Sequence, residues 1–263
     1  MLEGFQRTQF TDDGVTHPVF IAGTGPAIIV MHEIPGITPQ VAEFSRRLVD
    51  EGFRVYMPSM FGTPGKAMSN VYVGQEMIRA ACISREFNVL AKRGSSPITS
   101  WLRALSRHAY EECGGPGVGA IGMCLTGNFA LALMVDPWVM APVLSQPSLP
   151  FGISDGYSRA LHVSDDDLAT IKTRAVEEGQ CVLGLRFTGD RMSPPERFER
   201  LRTELGENFE GIEIDSSKGN PNGIKGMAHS VVTTDLVDED GHPTQAALHR
   251  VISFFHENLD RPE

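Results

Sequence analysis

The sequence predicts an α/β fold, a mostly parallel sheet with helices on both faces, on two observations. Short apolar runs alternate with amphipathic helical stretches along most of the chain, which is how parallel strands joined by crossover helices read. Two of the runs, 26–32 and 118–121, are apolar without a polar face, as strands buried on both sides are. With 41% hydrophobic and 21% charged residues in 263, the chain can bury a sizeable core without disulfides. No linker, repeat or low-complexity tract divides it, so one domain over 1–263 is expected.

Taken in order, residues 15–22 open as a strand, and 26–32 (Pro-Ala-Ile-Ile-Val-Met-His) form a buried one that ends in the turn-rich Glu33-Ile34-Pro35-Gly36-Ile37. Thr38 and Pro39 then read as N-cap and first helical residue, and Val41, Phe44, Leu48 and Val49 give the helix one apolar face up to Gly52. Residues 53–58 return as a strand, completing a β-α-β unit. A first insertion near 60–97 carries Gly62, Pro64 and Gly65 and a helix expected over 75–90. A helix over 97–113, with Ile98, Trp101, Leu102 and Leu105 on one face, stops at Gly114-Gly115-Pro116-Gly117. The strand 118–121, a helical run 129–135 and a strand 140–144 follow. A second insertion near 146–180 has turns at Pro147, Pro150 and Gly152 and a helix seeded by Ser164-Asp165-Asp166-Asp167, whose acidic residues suit a first turn. Strand 181–187 ends in Thr188-Gly189-Asp190. A helix 194–205, a strand 209–214, a loop 216–228 and a helix 244–259 complete the chain.

The formal charge of -10 disfavours nucleic acid and anionic membrane surfaces as partners. The first residues show neither the basic nor the apolar region of a secretory signal, and no window reaches the length of a membrane span. The four cysteines, Cys82, Cys113, Cys124 and Cys181, form no CxxC pair, which argues against a zinc site or a disulfide framework. The expectation is a cytoplasmic protein with neither metal nor cofactor. No statement about its oligomeric state follows.

Chemistry enters at Gly122-Met123-Cys124-Leu125-Thr126-Gly127, between the strand 118–121 and the following helix. Glycines flanking a cysteine at a strand-turn-helix junction read as the Gly-x-nucleophile-x-Gly elbow, with Cys124 in the nucleophile's place. A cysteine nucleophile needs a base, and the base an acid to orient it. Asp190 follows the strand 181–187 and His229 lies in the loop after 209–214, so nucleophile, acid and histidine come in that order on successive strand ends. The developing oxyanion would meet the backbone N–H groups of Leu125 and Ile34.

These residues are where the chain resembles the dienelactone hydrolase family, α/β-hydrolases with a cysteine nucleophile. The anchors are His32-Glu33-Ile34-Pro35-Gly36, Gly122 to Gly127, Gly189-Asp190 and Ala228-His229-Ser230. The resemblance implies an α/β-hydrolase fold and catalytic roles for Cys124, Asp190, His229 and Glu33, the glutamate being associated in the family with switching the thiol on when substrate arrives. The family's founding enzymes clamp a substrate carboxylate with two arginines, one shortly after the histidine. Here that stretch reads Ser230-Val231-Val232-Thr233-Thr234. Arg85, in the first insertion, is the candidate substrate-binding arginine, against the alternative of a surface arginine.

Other readings stay open beside these. Asp190 could cap a helix, although Ser193 is better placed to do so, and Asp215 is then the fallback acid. Cys82, Cys113 and Cys181 are expected as buried packing, and His32, His108, His162 and His242 as surface or turn residues. The expected function is hydrolysis of a small-molecule ester or lactone through a cysteine acyl-enzyme. The alternatives are a thioesterase or acyltransferase on the same triad, or a non-catalytic module that binds a small acid.

Overall fold

The structure, a computed structural model, describes residues 2–82, 96–151 and 154–260. Its strands are β1 (Gln6–Asp12), β2 (Val15–Ala22), β3 (Ala27–Met31), β4 (Arg54–Pro58), β5 (Val118–Met123), β6 (Val139–Ser145), β7 (Val182–Phe187) and β8 (Phe209–Ile214). They form one sheet in the order β1-β2-β4-β3-β5-β6-β7-β8. The pairings from β4 across to β8 are parallel, while β1 with β2 and β2 with β4 are antiparallel. This is the α/β architecture expected, with an antiparallel edge.

β3 shows why the sheet carries two cores. Ala27, Ile29 and Met31 pack into one cluster and Ile28 and Val30 into the other, so alternate side chains reach opposite faces. One cluster is completed by helices α3 (Pro97–Cys113), α4 (Gly127–Leu133), α6 (Asp165–Glu177) and α7 (Pro195–Leu205). The other is completed by α1 (Pro39–Asp50) and α8 (Pro243–Leu259). The chain also carries α2 (Asn70–Cys82), in the first insertion, and the short α5 (Asp155–Ser158), in the second. Thr38 caps α1 by accepting from Val41 N–H at 3.3 Å, with Pro39 in the first turn, and Ser164 caps α6 through Asp167 N–H.

Three expectations change. β1 was not anticipated, yet Asp13-Gly14, with φ of 43° and 77°, is the two-residue turn that pairs it with β2. Its residues alternate between exposed and half-buried and include no apolar run, so hydrophobic patterning does not mark it. The helix of the first insertion spans Asn70–Cys82 rather than 75–90, and residues 83–95, with Arg85 among them, lie outside the described residues. The helix expected from 194 begins at Pro195, with Pro194 as an N-cap lacking a side-chain hydrogen bond. Among the described residues no helix is long and apolar enough to cross a membrane, and no group of His, Cys, Asp and Glu has metal-binding geometry.

Ladder register sets the ends of the parallel strands level. Met31 pairs with Gly122, Met123 with Ser145, Ser145 with Leu185, and Phe187 with Ile214. Glu33, Cys124, Gln146, Asp190 and the loop to His229 therefore leave the sheet along one rim, where α/β sheets place their ligands.

Candidate active site

Cys124 sits at the junction of β5 and a single 3-10 turn, Cys124–Thr126, that leads into α4. Its φ of 53° is left-handed, a strained conformation for a residue with a Cβ. The flanking glycines are required by contact. A Cβ on Gly122 would lie 2.2 Å from Thr126 O, and one on Gly127 would lie 2.4 Å from Pro147 Cα. The turn differs from the expected spacing by one position, since Thr126 stands two residues after Cys124 and glycine three. Thr126 Oγ1 accepts Met123 N–H at 2.9 Å and reaches Met31 O at 2.9 Å, so one hydroxyl ties the elbow to the end of β3. Ser148 N–H donates to Cys124 O at 2.9 Å and brings the loop after β6 against the turn.

Asp190 and His229 meet. His229 Nδ1 lies 2.7 Å from Asp190 Oδ2, and both side chains are largely buried. Asp190 Oδ1 accepts Met192 N–H at 2.9 Å, so this carboxylate closes its own loop and caps no helix. Ser193 caps none either; its carbonyl accepts Nε–H of the buried Arg186, which also reaches Thr188 O and so braces the acid's loop. Asp215, the fallback acid, is exposed and accepts Ser217 N–H at 2.8 Å. The His229 loop is fixed by Asp235, whose Oδ2 accepts the N–H groups of His229 and Ser230 at 2.8 and 3.0 Å.

Burial alone would push the His229 imidazolium down. The charge of Cys124, together with the bond to Asp190, outweighs burial and raises it well above 6.5. Nε2 is itself buried and forms no hydrogen bond of full geometry among the described residues; Cys124, which raises the imidazolium by its charge and as a side-chain hydrogen-bond partner, needs only a small motion to close that bond.

Glu33 is not a solvated turn residue; it is 1% exposed. Its Oε2 accepts Ser230 Oγ–H at 2.6 Å and Gln146 Nε2–H at 3.2 Å, and its Oε1 accepts the Thr233 hydroxyl. No hydrogen bond joins it to Cys124 among the described residues. Gln146, at the end of β6, has a φ of 35°. Ile34 packs against the core cluster that contains Cys124 and Leu125, which places the two candidate oxyanion donors on neighbouring strand ends.

His32 and His162 are buried rather than at the surface. His32 Nε2 accepts Met60 N–H at 3.1 Å, so Nδ1 carries the proton and donates to Glu33 O at 3.0 Å. His108 is exposed and His242 caps α8, as expected of turn or surface residues. Cys113 and Cys181 are half-buried thiols instead of core fillers, and the Cys82 side chain lies outside the described set. Arg197, fully buried, donates to the carbonyls of Pro147, Pro150, Tyr157 and Ala160 and so shapes the second insertion. Burial lowers its pKa to about 10, against the opposing pull of Asp190.

The sequence model of the dienelactone hydrolase family matches residues 16–150. The chain belongs to the dienelactone hydrolase family. Membership makes it a hydrolase of the α/β-hydrolase fold. The family match takes in Glu33 and Cys124 and ends before Asp190 and His229, whose pairing rests on geometry. Among solved structures, a dienelactone hydrolase from Anabaena variabilis ATCC 29413 aligns with a TM-score of 0.62 at 13% identity, over 98% of this chain and 100% of that one. A dienelactone hydrolase-like promiscuous phosphotriesterase from metagenomic libraries gives 0.58 at 16%, over 97% and 98%. A cold-adapted esterase from an Arctic intertidal metagenomic library gives 0.56 at 12%, over 97% and 93%. At these identities the likeness shows the shared fold. No curated protein matches the chain.

Proposed function

We propose that this dienelactone hydrolase family member cleaves a lactone or small carboxylic ester through a Cys124 acyl-enzyme, as one α/β-hydrolase domain. The observation that carries the reading is the buried Asp190–His229 pair, whose imidazole is coupled by charge to a cysteine held at left-handed φ on the elbow. A thiolate at the N-terminal end of α4 is favoured by the helix dipole and by the neighbouring imidazolium.

In the reaction, Cys124 sulfur attacks the carbonyl carbon, and the carbonyl oxygen takes up the negative charge facing Leu125 N–H and Ile34 N–H. As the intermediate collapses, the C–O bond breaks and the departing oxygen takes the proton from His229 Nε2. For a lactone that oxygen stays on the acyl chain. Water then gives its proton to Nε2 and attacks the thioester, and the acid leaves as Cys124 thiolate is regenerated. Asp190 holds the ring tautomer and supports the imidazolium. Free thiols at Cys113 and Cys181 suit a reducing compartment, and we assign the protein to the cytoplasm.

A panel of lactones and aryl esters, assayed with the native protein and Cys124→Ala, tests the reading. The expected loss is on the order of 10³-fold or more, with an acyl adduct on Cys124 seen by mass spectrometry. Undiminished hydrolysis by a folded Cys124→Ala protein would sink it.

A further inference from the structure

Asp190 and His229 stand 39 residues apart in the chain, yet their side chains meet at 2.7 Å. The acid hangs from the end of β7, and the histidine from the long connection that leaves β8. Regular pairing of these two strands stops at Phe187 and Ile214, before the acid is reached. Something beyond the ladder has to set the last step, because a hydrogen bond weakens steeply once its geometry is lost.

Two hydroxyls carry the pairing on. Thr188 N–H still reaches Ile214 O at 2.9 Å. Past that point Ser216 N–H donates to Thr188 Oγ1 at 3.0 Å, and Gly189 N–H donates to Ser216 Oγ at 2.8 Å. Each strand end thus offers the other an amide and a side-chain oxygen. A side-chain oxygen takes the place of a ladder carbonyl, so the chains diverge without leaving these amides unpaired. Gly189 is what lets the clasp close. A Cβ there would lie 2.6 Å from Gly226 O and 2.8 Å from Ser216 Oγ, closer than real Cβ atoms come. The backbone that leads from Gly226 into His229 therefore rests against the residue next to the acid.

Arg186 steadies the acid's side of the clasp. It is buried, pairs with Glu213 on β8, and donates to Thr188 O at 3.2 Å and to Ser193 O at 2.8 Å. Asp235 does the same on the histidine's side through the amides of His229 and Ser230. Each loop is firm within itself, and the Thr188–Ser216 pair sits where one loop is referred to the other.

We propose that Thr188 and Ser216 are positioning residues whose reciprocal bonds, closed over Gly189, set the separation of Asp190 and His229. The proposal deepens the Cys124 reading above and rests on it wherever turnover is measured. Burial works against the His229 imidazolium, while Cys124 and Asp190, by charge and hydrogen bond, raise it. A looser Asp190–His229 bond therefore brings the ring's titration down toward 6.5.

Ser216→Ala and Thr188→Val remove the two acceptors, and Thr188→Ser keeps the hydroxyl as the control. Ring-proton NMR with no ester present should show the His229 acid dissociation constant raised roughly threefold or more in the first two proteins and close to native in the third. On the ester that the native protein cleaves fastest, kcat should fall about tenfold in the first two with KM within about twofold, and Thr188→Ser should restore it. A role confined to stability would lower the melting temperature and leave the titration in place. The proposal is overturned by a dissociation constant or a kcat that changes less than about threefold in either folded variant, or by a Thr188→Ser protein that behaves like Thr188→Val. Thr188 is exposed, so should Ser216→Ala fail to give a cooperative melt, Thr188→Val is judged alone by the same limit. Failure of the esterase reading is a separate result, because it appears as retained hydrolysis by Cys124→Ala, and the His229 titration then decides the clasp.

Discussion

His32 and His229 are both buried, each beside a rim loop of the same sheet, and the protein moves them in opposite directions. His32 has backbone partners, Met60 N–H and Glu33 O, and burial pushes it down to about 4. His229 has a carboxylate and a sulfur, and it rises well above 6.5 in spite of its burial. Burial therefore decides the direction only where the neighbours are neutral dipoles. Dipoles fix a tautomer, whereas a stable imidazolium needs opposing charge.

Removing that charge should make the second histidine behave like the first. Asp190→Asn is expected to drop the His229 titration, followed by ring proton NMR, and to reduce ester hydrolysis on the order of 10²- to 10⁴-fold. A titration left in place would mean that Cys124 alone sustains the imidazolium. Stability should follow the same logic. The His229 contribution is fully present below about pH 6.5, its unfolded value, and is lost as pH rises through its raised folded value. The melting-temperature gap between native protein and Asp190→Asn should thus narrow toward alkaline pH.

The converse experiment concerns His32. Its folded value lies below the unfolded one, so its contribution is present above pH 6.5 and is lost as pH falls toward 4, at a cost of roughly 3 kcal/mol. Urea unfolding of His32→Gln between those pH values should give a flatter profile than the native protein, and an unchanged slope would reject this account. The smallest effect is expected at Thr126→Val, which removes the hydroxyl shared by Met123 N–H and Met31 O. About 1–3 kcal/mol should be lost in urea unfolding, from the buried N–H left unsatisfied. A loss near zero would show that the elbow does not depend on that tie.

Much of this arrangement was legible in the chain. Helix 97–113 is legible to the residue because Pro97 opens it and Gly114 ends it, and strand 209–214 is legible as the short run between the polar Asn208 and Asp215. The rim order of Cys124, Asp190 and His229 followed from placement alone. What escaped is long-range. Gln146 and Thr233 meet Glu33 across 113 and 200 residues, and no local pattern announces such a pairing. His32 and His162 were misplaced at the surface because a histidine carries no periodicity of its own. Only the strand before His32 hinted that the chain was still inside. β1 is hard to read for another reason: it holds no apolar run, and its one local signal is the Asp13-Gly14 turn that follows it.

Arg197 has a consequence for the order in which the molecule can assemble. Its four carbonyl partners precede it by 37 to 50 residues, so the segment beside the nucleophile acquires its shape only after α7 has been made and docked. During synthesis β3, β5 and β6 are complete well before then, so the segment waits on α7 for its hydrogen bonds. The loop that meets Cys124 therefore takes its final shape only with a residue 73 positions downstream of that cysteine.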